Sequence, residues 1–205
     1  MKKSWAEFYN KEISLKEFLG NYYSWELFDQ IIKLKPRKVL EVGSGTGVMS
    51  VFLSHLGCEV VSIDNNKKVL ELAMRNNRKF NGKVDFRMGD AFDLKFKDKQ
   101  FDVAYSQGFY EHFNNGDVKR LLNEQLRVAK CVVISVPNKY YPEYDYGNER
   151  LMSAKDWVRI FKKIDSKLKI KCSEYQFMLR LNMPFKTIFN LIMKRKVMNL
   201  FVIWR

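Results

Sequence analysis

No uninterrupted apolar run of eighteen or more residues occurs in this chain of 205, so stable membrane insertion is not expected. The start, Met1-Lys-Lys-Ser-Trp-Ala-Glu-Phe8, lacks the apolar block of a secretory signal, and a cytoplasmic protein is expected. Cysteine is scarce and odd in number: Cys58, Cys131 and Cys172 stand far apart and outside any C-x-x-C pair. That excludes a disulfide framework and gives no zinc signature, so no metal is expected and the thiols read as core or near-core groups. There are only two histidines, His55 and His112, and neither low-complexity segments nor fixed-period repeats are present, which sets solenoids and linkers aside.

Positive charge is in surplus. Lysine and arginine outnumber the acids 37 to 23, a formal net charge of +14, which would suit a polyanion if the basic residues were clustered. They are instead spread along the chain in small groups, so a generally basic, solvated surface is favoured over an RNA-binding face. A length of 205 with 46% hydrophobic residues supplies one sizeable core, and a single domain over 1–205 is expected.

Apolar runs and helical periods alternate from residue 36 onward. Lys38-Val-Leu-Glu-Val-Gly43, Glu59-Val-Val-Ser-Ile-Asp64, 84–88, 101–106 and Cys131-Val-Val-Ile-Ser-Val136 predict strands, and 47–57, 66–80 and 115–128 predict helices between them. Near-continuous apolar strands separated by helices indicate a mostly parallel sheet covered on both faces, an α/β doubly wound fold. Beyond 150, Ser153 predicts an N-cap for a helix through 163, 168–178 a sixth strand, 185–194 a helix and 200–204 a final strand in an antiparallel hairpin. The layout is then a helical cap over 1–35, a core over 36–137, and a loop with C-terminal helices and hairpin over 138–205.

The chemistry concentrates in Val39-Leu-Glu-Val-Gly-Ser-Gly-Thr-Gly-Val48. Glycines at 43, 45 and 47 permit a sharp strand-to-helix turn and close approach of a nucleoside or amino-acid moiety. A glycine triplet alone is weak, but here it follows a predicted strand and opens a predicted helix. Asp64 ends the second strand about twenty residues on, where an acid can accept both ribose hydroxyls; the competing reading makes it a helix cap. The spacing is G-x-G-x-G rather than G-x-G-x-x-G, which argues against a dinucleotide, and Glu41 beside the loop would repel pyrophosphate yet suit a cationic amino group, directly or through water.

Glu41-Val-Gly-Ser-Gly-Thr-Gly47, Ser62-Ile-Asp64 and Gly89-Asp-Ala91 together resemble the cofactor-binding core of class I methyltransferases that use S-adenosylmethionine (SAM), over residues 38 to about 137. The resemblance implies a Rossmann-like sheet in the order 3-2-1-4-5-7-6. It implies that Glu41, Gly43, Ser44, Gly45 and Gly47 hold the methionine part of SAM, that Asp64 holds the ribose, that Asn65 flanks the adenine and that Asp90 with Ala91 reads its amino edge, with Gln107 also at the cofactor. Asp90 as a plain turn residue stays open. Tyr105-Ser-Gln-Gly-Phe-Tyr-Glu-His112 is similar to the segment after the fourth strand, where a Glu-His pair is common in members acting on small molecules.

The expected activity is methyl transfer to oxygen or nitrogen of a small-molecule acceptor, with RNA methylation or a non-catalytic SAM-binding scaffold as alternatives. His112, with Glu111 or Tyr110, is the candidate base, since a nucleophilic oxygen or nitrogen must lose a proton; the other reading has His112 orient its loop or line the pocket. Tyr140, Tyr141, Tyr144 and Tyr146 follow the fifth strand at the edge where open α/β sheets bind ligands. Tyr140, Tyr141 and Arg150 are the candidate acceptor contacts, against the alternatives of a loop packed by its own tyrosines and of Arg150 as a helix-entry residue. The N-terminal aromatics form a lid or cover the sheet.

Overall fold

Four of the five residues of β1 (Lys38–Val42) are buried, as a central parallel strand covered on both faces requires. β1 pairs in parallel with β2 (Glu59–Asp64) on one side and β4 (Phe101–Gln107) on the other. β3 (Val84–Met88) extends the sheet beyond β2, and β5 (Ala129–Pro137) extends it beyond β4, both parallel. β7 (Met198–Trp204) then lies antiparallel between β5 and the edge strand β6 (Lys169–Tyr175). The order is β3-β2-β1-β4-β5-β7-β6, with the expected antiparallel hairpin at its end. The computed structural model describes residues 4–20, 24–141, 147–175 and 196–205. The helix expected at 185–194 and the rings of Tyr22, Tyr23, Tyr144 and Tyr146 lie outside them.

Helices α3 (Trp25–Lys33) and α4 (Val48–His55) bury Leu27, Ile31, Met49 and Leu53 on one face of the sheet, against Val39, Val133 and Val202. Helices α6 (Asn115–Val128) and α7 (Ala154–Ile164) bury Leu121, Leu122, Trp157 and Phe161 on the other, against Ile134 and Phe201. Each such side chain contributes about 1.5–3 kcal/mol by leaving water. Side-chain caps start α6 and α7, the latter at the predicted Ser153. Ser153 accepts from the Asp156 amide at 3.3 Å, Asn114 from that of Asp117 at 3.0 Å, and Asn66 opens α5 (Lys67–Lys79) by accepting from Lys68 and Val69.

Two short helices, α1 (Trp5–Phe8) and α2 (Leu15–Gly20), precede α3. Among the described residues no helix is long and apolar enough to cross a membrane. One thiol departs from expectation. Cys58 and Cys131 are buried, but Cys172 is exposed on β6, which among the described residues is the edge strand and is mostly exposed.

The strand order reverses between β1 and β4, so the connections that leave their carboxyl ends run to opposite faces of the sheet, the arrangement that forms a ligand crevice in open α/β sheets. Into that crevice run the glycine loop after β1 and the segment after β4.

Candidate active site

Gly43 and Ser44 both donate their amides to the carbonyl of Ile63 in β2, at 3.0 and 3.1 Å, which draws the loop across the end of that strand. The chain turns back through a Gly47 amide bond to the Ser44 carbonyl at 2.8 Å and enters α4. Gly47 does this at φ +73°, and a β-carbon there would stand 2.7 Å from Phe86 and 2.8 Å from the Ala73 side chain. Both the left-handed backbone and the packing against α5 and β3 therefore demand glycine. At Gly43, φ +88°, a β-carbon would meet the Phe109 ring at 2.8 Å. That contact places the segment after β4 directly against the loop.

Asp64 lies where the loop crosses β2. Its carboxylate accepts from the Asn66 amide at 2.9 Å and is faced by the amides of Gly45, Ser44 and Asn65. Burial pushes its pKa up, against those hydrogen bonds. The cap of α5 is Asn66, so the capping reading of Asp64 has no support in the geometry. Asn65 is exposed beside it. Asp90 is also exposed, and its carboxylate accepts from the Phe92 amide at 2.9 Å, closing a turn; Ala91 is partly buried against the cluster that holds Leu40 and Ile63.

Below the loop runs a buried polar chain. Glu41, 3% exposed, accepts on one carboxylate oxygen from Ser50 and from Ser62, each at 2.6 Å. Ser62 Oγ lies 2.8 Å from Ser44 Oγ, and Ser50 Oγ lies 3.2 Å from the Tyr105 hydroxyl. Tyr105 can donate to Ser50 and Ser50 to Glu41, while the single hydroxyl hydrogen of Ser62 has two acceptors in reach, Glu41 Oε2 and Ser44 Oγ. Desolvation raises the Glu41 pKa to about 7, with the serine and tyrosine hydrogen bonds opposing.

A buried acid raised in this way stabilises the fold fully below the unfolded-state value near 4.5, and that stability is lost as pH rises through about 7. The loss corresponds to about 3 kcal/mol. Glu41→Gln keeps an acceptor for both serines and has no charge to desolvate. It is expected to flatten the unfolding free energy between pH 5 and 8 and to be the more stable protein at pH 8; urea titrations that show the same slope in both proteins would contradict this.

After β4, residues 110–112 form one 3-10 turn. His112 is 9% exposed on its side chain and Glu111 3%, with His112 Nε2 4.0 Å from Glu111 Oε1. His112 Nδ1 lies 2.5 Å from Asn148 Oδ1, and the Trp5 ring of α1 meets the imidazole edge-on at 5.0 Å. Four residues further along the chain, Tyr9 lies over the glycine loop, with its ring 3.2 Å from where a Gly45 β-carbon would be. Trp5 and Tyr9 thus lie against the His112 turn and the loop, whereas Phe18 stacks on Phe52 and Phe80.

Three expected site residues make contacts that join elements of the fold. The Tyr110 ring is fully buried in the cluster that holds residues of α6 and β5, and its pKa is pushed well above the usual tyrosine value by burial. Arg150 donates to the Phe113 carbonyl and to Asn115 Oδ1, and its guanidinium lies over the Trp157 ring at 5.4 Å; it ties its loop to the 3-10 turn. Gln107 donates to the buried Ser24 hydroxyl at 2.9 Å and so joins β4 to the start of α3. Tyr140 and Tyr141 pack against the core cluster that includes Leu27 and Met198, and Lys139 lies over the Tyr140 ring at 5.1 Å.

The sequence reading had not singled out Ser50, Ser62, Tyr105, Phe109, Asn148 or Asn76. The last is fully buried in α5, donates to the Thr46 carbonyl at 2.9 Å and accepts from the Ile13 amide at 3.3 Å, which braces the glycine loop against the N-terminal segment.

Residues 39–131 match the family described as "Methyltransferase domain". The chain is 32% identical over 117 residues to the ubiquinone biosynthesis O-methyltransferase of Pelagibacter ubique, covering 56% of this chain and 48% of that protein. It is 30% identical over 104 residues to the magnesium-protoporphyrin O-methyltransferase of Rhodobacter capsulatus, covering 50% and 46%. The matched stretch therefore spans about half the length of these curated relatives. In fold, the chain is similar to the magnesium protoporphyrin IX methyltransferase of Synechocystis solved with bound SAM, with a TM-score of 0.67 over 98% of this chain and 89% of that one, at 14% identity.

Proposed function

We propose that this chain, which belongs to the class I SAM-dependent methyltransferase superfamily, transfers a methyl group from SAM to an oxygen or nitrogen of a small-molecule acceptor. The observation that carries the proposal is the contact of Phe109 with Gly43, because it packs the segment that carries His112 and Glu111 against the glycine loop. The names of the two relatives favour oxygen as the atom methylated.

The residues present fit the cofactor. Asp64 offers a carboxylate for a ribose diol where the loop amides converge, with Asn65 beside it. Glu41 is buried beneath the loop and linked to it through Ser62 and Ser44, and an ammonium group bound above it would favour the ionised carboxylate. In this proposal Gly43, Ser44, Gly45 and Gly47 hold the methionine part, and Asp90 and Ala91 lie at the adenine end. When bound, SAM supplies a methyl group on a sulfonium that is itself the leaving group.

The chain then has to align the acceptor, exclude water and take its proton, and no covalent residue is needed. His112 takes the proton, and Glu111 at 4.0 Å balances the imidazolium that results. Trp5 and Tyr9 cover the crevice from the N-terminal side. Tyr140 and Tyr141 border the acceptor end, while Tyr110, Arg150 and Gln107 serve the packing of the elements that form it. A cytoplasmic location is part of the proposal and is checked by cell fractionation.

Incubation of the purified chain with SAM and a panel of phenols, quinols and amines tests the reading. Acceptor-dependent release of S-adenosylhomocysteine is expected. A chain that binds S-adenosylhomocysteine yet releases none across the panel is a scaffold, not an enzyme.

A further inference from the structure

We propose that Asn148 is a positioning residue for His112: it holds the imidazole in the tautomer with hydrogen on Nδ1, which makes Nε2 the nitrogen that accepts the acceptor's proton. The inference rests on the reading of His112 as the base.

His112 Nδ1 lies 2.5 Å from Asn148 Oδ1. An amide oxygen only accepts, so the hydrogen of that bond belongs to Nδ1, and a neutral imidazole with hydrogen on Nδ1 carries its lone pair on Nε2. Nε2 is also the nitrogen that faces Glu111 Oε1 at 4.0 Å. Proton uptake there places the new positive charge toward a carboxylate that is itself almost wholly buried. The opposite tautomer would turn a hydrogen toward that side and leave no base.

Asn148 can impose this because its own position is fixed. The Arg150 amide donates to the Glu111 carbonyl at 3.0 Å, and the Arg150 guanidinium grips the Phe113 carbonyl and Asn115 Oδ1. All three bonds run between the loop that carries Asn148 and residues 111–115 on either side of His112, so the pair cannot drift apart without breaking them. Trp5 closes the other side of the ring at 5.0 Å.

The second histidine of the chain is an internal standard of the opposite kind. His55 Nε2 lies 2.9 Å from the Phe80 carbonyl, and a carbonyl likewise only accepts, so His55 carries its hydrogen on Nε2. With two histidines in the chain, long-range proton–nitrogen correlation spectra of the ¹⁵N-labelled full chain, recorded where both rings are neutral, resolve each tautomer. His55→Gln assigns the pair.

Opposite patterns are expected, with hydrogen on Nδ1 for His112 and on Nε2 for His55. Asn148→Ala is expected to abolish the Nδ1–H pattern of His112, Asn148→Asp to retain it through a carboxylate oxygen, and both to leave the His55 pattern unchanged, which reports that the fold is intact. An Nε2–H pattern for His112 in the unaltered chain overturns the proposal, as does an Nδ1–H pattern that persists in Asn148→Ala. The spectra need neither cofactor nor acceptor. A failed tautomer prediction therefore leaves methyl transfer standing, and an absence of methyl transfer leaves the tautomer readable.

Discussion

His112→Ala is expected to lower turnover about 100- to 10,000-fold, the range that a positioned general base contributes, while changing affinity for S-adenosylhomocysteine by less than about threefold. The separation follows from placement. The imidazole is bonded to Asn148, faces Glu111 and packs on Trp5, whereas the glycine loop touches the same segment through Phe109. Removing the ring should therefore leave the loop and Asp64 as they are. Steady-state rates and calorimetry on the same preparation check both halves. Equal loss of rate and affinity would move His112 from the base to the wall of the cofactor pocket.

Asp64→Ala is expected to act in the reverse sense, weakening S-adenosylhomocysteine by about 30- to 700-fold. A carboxylate accepting two ribose hydroxyls makes hydrogen bonds to a charged group, and losing them costs about 2–4 kcal/mol after partial replacement by water. The apo protein should not share that loss. Burial raises the Asp64 pKa, so the ionised group stabilises the fold less as pH rises through its folded value, and Asp64→Asn should unfold no earlier than the unaltered chain at pH 8. The residue is thus kept at some cost to the empty fold. Unchanged affinity in Asp64→Ala would remove it from the cofactor site.

Much of this architecture was legible in the sequence because a parallel strand buried on both faces is written as a continuous apolar run, and β1, β2, β4 and β5 are such runs. The glycine loop was legible because its backbone, at Gly43 and Gly47, tolerates no β-carbon. Register left no such mark. Glu41 stands level with Ser62 in β2 and Tyr105 in β4, and residues at one level of adjacent parallel strands share a face, yet nothing in the separate runs says which levels meet. Ser62 inside an otherwise apolar strand was the one available sign of the buried polar chain.

Contacts between distant loops were equally silent. His112 and Asn148 are joined across 36 positions, and Tyr9 reaches Gly45 from the N-terminal segment, with no periodicity to announce either. Cys172 misled for a different reason. A cysteine reads as apolar, but among the described residues β6 lies at the edge of the sheet, with a paired strand on one flank only.

The most direct test of the central claim is calorimetric titration of the unaltered chain with S-adenosylhomocysteine, beside NAD as a control. One site with micromolar affinity for S-adenosylhomocysteine and none for NAD is the predicted result. No heat at millimolar S-adenosylhomocysteine, or a preference for NAD, would contradict it, because the loop, Asp64 and the buried chain beneath them would then hold some other ligand or none.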